Sequence, residues 1–191
     1  MSKGRLEAFS DGVIAILITI MVLELKVPHR TSPEALREML PVFLSYVLSF
    51  LYLGIYWNNH HHMLQMAKSI NGRVLWANLH LLFWLSLVPF VTGWMGESNA
   101  PFPTACYGVV LLLAGVAYLI LQRALIAAEG EHSKLAAALG RDLKGKLSAV
   151  LYAGAIPLAF VNQFISDGIY VLVALMWLIP DPRIESRLQE P

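Results

Sequence analysis

The sequence is poor in charge. Only 14% of its 191 residues are Asp, Glu, Lys or Arg, against about 25% in a soluble domain. Its single cysteine, Cys106, excludes a disulfide within one subunit. It has no long basic run and a formal net charge of +1, which argues against nucleic acid as a partner. No Gly-x-Ser-x-Gly turn and no glycine-rich phosphate loop occurs, and Cys106 has no evident base partner. No polar segment is long enough to form a soluble catalytic domain, and no internal repeat or low-complexity tract is visible. The chain does not read as an enzyme, and no cofactor is expected.

Hydrophobic residues are abundant at 57%. That balance reads as an all-α integral membrane protein. A crossing helix needs about 20 mostly apolar residues. Six spans are expected, at 9–25, 40–57, 74–95, 105–128, 147–166 and 169–179, forming one membrane domain over 1–191. The first has no small-residue cleavage site after it, so a retained span is expected rather than a cleaved leader. The sixth is short; it either continues helically back through Asp167 and Gly168 or crosses a thin region. Asp167-Gly168 otherwise reads as a tight turn between the last two spans. Pro89 is expected to kink the third span.

Placing the N-terminus inside puts eleven of the fourteen Lys and Arg on the inner face, among them Lys134, Arg141, Arg183 and Arg187. This is the asymmetry expected of six spans with both termini cytoplasmic. The segment 133–144 has good helix formers and reads as a helix lying on the membrane surface.

The first span differs from its Leu-, Val- and Ala-rich neighbours. Asp11 lies about one turn inside it, and a carboxylate at that depth normally faces protein rather than lipid. Candidate partners are Arg5 on the same helix, His60 at the end of the second span and Asn78 early in the third. Asp11 reads either as a clamp joining three helices or as an ion or proton site. The latter reading gives an alternative function: a proton-coupled transporter using Asp11 and His60 as a relay. Ile16, Thr19, Ile20 and Leu23 follow at i, i+3, i+4 and i+7, so they share one helix face. In isolation such a stripe reads as packing.

His60-His61-His62 fan by about 100° each on a helix and cannot converge on one metal. The remaining histidines, His29, His80 and His132, lie at other depths, so no metal site is expected. Titration of His60 near neutral pH would make a pH-sensitive gate. Glu24, at the outer end of the first span, either forms an acidic ring at a pore mouth or pairs with Lys26 or Arg30. The tryptophans read mostly as interface anchors.

Arg5-x-x-x-Phe9-Ser10-Asp11 followed by Gly12-Val13-x-Ala15-Ile16-x-x-Thr19 resembles the signature of the transmembrane protein 175 family. These are the potassium channels of lysosomes and their shorter prokaryotic relatives. Trp57-Asn58-Asn59-His60, Asn78-Leu79-His80 with Pro89-Phe90-Val91-Thr92, and Trp177-Leu178-Ile179-Pro180 are similar to later parts of the same family pattern.

The resemblance implies a single-repeat prokaryotic member: a homotetramer in the plasma membrane, with the first helix of each subunit lining a central pore. It implies that Ile16, Thr19, Ile20 and Leu23 form a hydrophobic constriction that gates and filters. Potassium and other monovalent cations would be the permeant species, with modest preference for potassium over sodium. Arg5, Phe9, Ser10, Asp11, Trp57, His60 and Asn78 would position the pore helix.

Overall fold

The structure, a computed structural model, describes residues 2–130, 136 and 142–178. It is all-helical: α1 Lys3–Leu23, α2 Pro33–Met66, α3 Gly72–Ser86, α4 Val88–Ser98, α5 Pro101–Glu129, α6 Leu143–Leu158 and α7 Gln163–Leu178. Counting α3 and α4 as one broken passage gives six among the described residues. Four of these are long and apolar enough to cross a membrane: α1, α2, the α3–α4 pair and α5.

Proline sets several of these boundaries. It stands in the first turn of α2, α4 and α5, where its missing N–H would be unpaired in any case. The 74–95 stretch lies in one helical passage, Gly72–Ser98, interrupted where Pro89 predicts a kink. It is cut at Leu87, because Pro89 brings no N–H for the Leu85 carbonyl and its ring crowds that group. Pro41, by contrast, is absorbed inside α2, where the Ser45 hydroxyl donates to the Pro41 carbonyl at 2.9 Å.

The turn expected at Asp167-Gly168 lies elsewhere. Both residues are inside α7, and the chain reverses over 159–162. α6 ends at Leu158, one residue past Pro157, and the Asn162 side chain accepts the Phe164 N–H at 3.0 Å to start α7. Ser166 Oγ then donates to the Ala155 carbonyl at 2.7 Å, fastening the two helices one turn on. The last two described helices therefore run 143–158 and 163–178, where the sequence suggests 147–166 and 169–179, and the second continues helically through Asp167 and Gly168. Most of the 133–144 segment falls outside the described residues, as do His132, Lys134, Arg141, Ile179, Pro180, Arg183 and Arg187.

α5 is the central helix, packed against α3, α4, α6 and α7. Gly108 lets α7 approach it: a Cβ there would collide with the Tyr170 hydroxyl, which donates to the Thr104 carbonyl at 3.1 Å. A second polar knot ties α2, α4 and α5. Thr92 Oγ1 donates to the Val88 carbonyl at 2.6 Å, Ser49 donates to Thr92 at 2.6 Å, and Tyr107 donates to Ser49 at 2.9 Å. This is the one order that uses each hydroxyl proton once. α1 sits at the edge, against α2, α3 and α4.

Candidate functional site: the two faces of the first helix

Five residues of α1 are buried against its neighbours: Leu6, Ser10, Ile14, Leu17 and Met21, at steps of four and three. The opposite face has no cover among the described residues. Ile16, Ile20 and Leu23 are 57%, 41% and 78% exposed, and Thr19 lies exposed among them. Phe9 is exposed as well. It precedes Ile16 by seven residues, so it extends this open stripe rather than joining the polar contacts.

Thr19 donates its hydroxyl proton to the Ile16 carbonyl at 2.8 Å. Its oxygen lone pairs are therefore left to face outward.

The buried face is held by a hydrogen-bond chain. Ser10 Oγ donates to the Leu6 carbonyl at 2.9 Å, and Asn78 Nδ2 donates to Ser10 Oγ at 2.9 Å. His60 Nε2 donates to Asn78 Oδ1 at 2.7 Å, since an amide oxygen can only accept. All three side chains are at most 1% exposed. The chain runs from α2 through α3 to α1, so three of the expected positioning residues do come together.

The others are placed differently. Asp11, one residue past Ser10, is turned about 100° from it. It is half-buried and accepts from Trp57 Nε1 at 3.0 Å. Its partner is thus Trp57, and neither Arg5, His60 nor Asn78 is hydrogen-bonded to it. Arg5 is exposed, and among the described residues its side chain makes no hydrogen bond or ion pair. It stands five residues before Ser10, well round the helix from the buried face. Trp57 in turn stacks on the exposed His61, ring centroids 6.1 Å apart, so His61 braces the ring that meets Asp11.

The ends of α1 are tied to the rest of the bundle. Lys3 Nζ donates to the Gln65 carbonyl at 2.8 Å at one end. Beyond the other end, Lys26 pairs with Glu97 at 2.6 Å, and that neighbouring carboxylate holds the Lys26 ammonium above its usual range. Arg30 pairs with Glu38 at 2.6 Å. Both expected cationic partners of Glu24 are thus engaged elsewhere. Glu24 is exposed and lies beside Gly93 of α4, where a Cβ would stand 3.6 Å from its Oε2. Lys3, Gln65 and Glu97 were not legible as site residues, because nothing in local spacing pairs positions so far apart. Among the described residues no group of three His, Cys, Asp or Glu could hold a metal ion.

The chain as a whole has similar proteins. The family model for the endosomal/lysosomal potassium channel TMEM175 matches residues 5–89, the stretch that carries α1, α2, α3 and the whole hydrogen-bond chain. A potassium channel of Chryseobacterium sp. (strain P1-3) is 56% identical over 191 residues, covering all of both chains. A potassium channel of Streptomyces collinus is 34% identical over 125 residues, 61% of each chain. The crystal structure of a lysosomal potassium-selective channel TMEM175 homolog from Chamaesiphon minutus superposes with a TM-score of 0.80 at 28% identity, covering 93% of this chain and 96% of that one. With a full-length relative at that identity and the same helical architecture, this chain belongs to the TMEM175 family.

Proposed function

We propose that this protein is a potassium-permeable channel of a prokaryotic plasma membrane, assembled as a homotetramer with α1 of each copy around a central axis and both termini cytoplasmic. The observation that carries the reading is the division of α1 into two faces. One is locked to α2 and α3 by buried hydrogen bonds; the other leaves Ile16, Thr19, Ile20 and Leu23 uncovered. Four such faces around an axis make an apolar throat that closes by expelling water.

Potassium gives up its hydration shell more cheaply than sodium, so a narrow apolar neck favours potassium modestly. The Thr19 oxygens, their protons already engaged, replace part of the lost water. The lock on the opposite face sets how far each α1 stands from the axis. Glu24, which makes no ion-pair contact among the described residues though Lys26 lies within its electrostatic reach, adds negative charge near the outer mouth.

The test is flux through protein reconstituted in liposomes. Ile16→Asn is expected to raise cation leak and lower the potassium-to-sodium ratio. Potassium and sodium fluxes equal to those of the unaltered protein place the constriction elsewhere.

A further inference from the structure

α3 and α5 meet in a shallow, open groove at the end of the bundle where α1 begins, the end at which Lys3 reaches the Gln65 carbonyl and α3 starts. Arg73, Trp76 and His80 line it from α3, Ile120 and Ala124 from α5, and the buried Ala77 lies between them. Trp76 is 75% exposed, the most of the five tryptophans. His80 accepts the Trp84 Nε1 proton at 2.9 Å, which holds its ring.

Two exposed arginines stand at one level of this groove. Ser69 Oγ donates to the Ala128 carbonyl at 3.1 Å, which sets the start of α3 beside the end of α5. Arg73 lies four residues after Ser69 and lines the groove together with Ala124. Arg123 precedes Ala124 and follows Ile120 by three residues, so it shares the exposed side of α5 with Ile120. Among the described residues neither arginine makes an ion pair or a side-chain hydrogen bond. Glu129, the acid at this end of α5, is already committed: its Oε1 accepts the Lys68 and Ser69 N–H groups at 2.5 and 2.6 Å. The groove therefore offers two uncompensated cations beside an apolar track.

We propose that this groove holds an anionic phospholipid, its phosphate on Arg73 and Arg123 and an acyl chain along Trp76, Ala77 and Ile120. Basic pockets between membrane helices take anionic headgroups, and the guanidinium fork matches phosphate oxygens. Long arginine side chains near helix ends reach the headgroup level while their stems stay on apolar surface. An exposed indole at the same level suits the boundary between headgroup and acyl chain. A choline lipid brings its own cation toward the two arginines, and free phosphate makes no use of Trp76 or Ile120.

The test reconstitutes the full chain in mixtures of phosphatidylcholine and phosphatidylglycerol, one of the two carrying brominated acyl chains, and reads quenching of tryptophan fluorescence. The difference between the unaltered protein and Trp76→Phe isolates the Trp76 signal. Brominated phosphatidylglycerol is expected to quench Trp76 at mole fractions about tenfold lower than brominated phosphatidylcholine. The remaining tryptophans are expected to show little preference. Arg73→Gln combined with Arg123→Gln is expected to abolish the preference at Trp76. Arg73→Lys combined with Arg123→Lys keeps both charges and is expected to retain most of it. The Trp76 signal of the unaltered protein decides the matter even if an arginine variant fails to fold. Equal quenching of Trp76 by the two lipids, the same preference at the other tryptophans, or a preference that survives the double glutamine substitution overturns the proposal. A Trp76 that neither lipid quenches overturns it too and assigns the groove to contact with a second copy.

Discussion

Asn78 does the most at the scale of a single residue. It donates to Ser10 and accepts from His60 in a site closed to water. Asn78→Leu leaves the His60 imidazole without its partner and takes from the Ser10 oxygen its donor, though Ser10 still donates to the Leu6 carbonyl; a buried polar group left unpaired costs about 1–3 kcal/mol. The expected outcome is a clear drop in the unfolding midpoint in detergent. Ser10→Ala removes one end of the chain only and is expected to cost less in the same assay. The polar residues of this chain stood out in an apolar sequence, and His60 and Asn78 were both legible as partners for α1. What spacing could not show was which residue of α1 they serve. Asp11 draws attention as the charged one, yet the single step that separates it from Ser10 aims it at Trp57 instead.

At the scale of the elements, close approach and interruption decide the packing. Gly108→Ala places a methyl group where the Tyr170 hydroxyl lies, so α7 must move off α5 or Tyr170 must give up the Thr104 carbonyl. Overpacking of this kind typically costs about 1–3 kcal/mol, readable as a lower unfolding midpoint. Tyr170→Phe in the Gly108→Ala background is expected to recover part of the loss, since the clashing oxygen is gone. The helical stretches were largely legible from hydropathy. The break at Leu87 was legible from Pro89 only as a bend. The turn over 159–162 was misread because Asp-Gly is a strong local turn signal, while the Asn162 cap and the Ser166–Ala155 bond that override it depend on two helices meeting.

For the whole molecule the question is what covers α1. Leu23 and Ile16 are among the more exposed apolar side chains of the helix, and the described residues of a single copy offer them no partner. In a Cys106→Ser background, Ile16→Cys is expected to cross-link between copies in membranes, with bifunctional thiol reagents giving species up to the tetramer. Absence of cross-linked species would place this face toward lipid and remove the basis of the proposed pore. The hydrogen-bond chain makes a companion expectation. Asn78→Leu loosens the opposite face of the same helix, so channels that survive it are expected to show altered potassium flux without any change to the Ile16 layer.

By itself the sequence determined the solvent and the material: a chain with 14% charge and 57% hydrophobic residues must satisfy its backbone internally, and helices do so in lipid. It also determined the spacing of the Ile16–Leu23 stripe, because helical periodicity is local. Only the tertiary structure decided which face of α1 is locked and which is bare. That choice rests on Ser10, Asn78 and His60 meeting from three helices, and contacts between residues up to 68 positions apart leave no mark on local pattern.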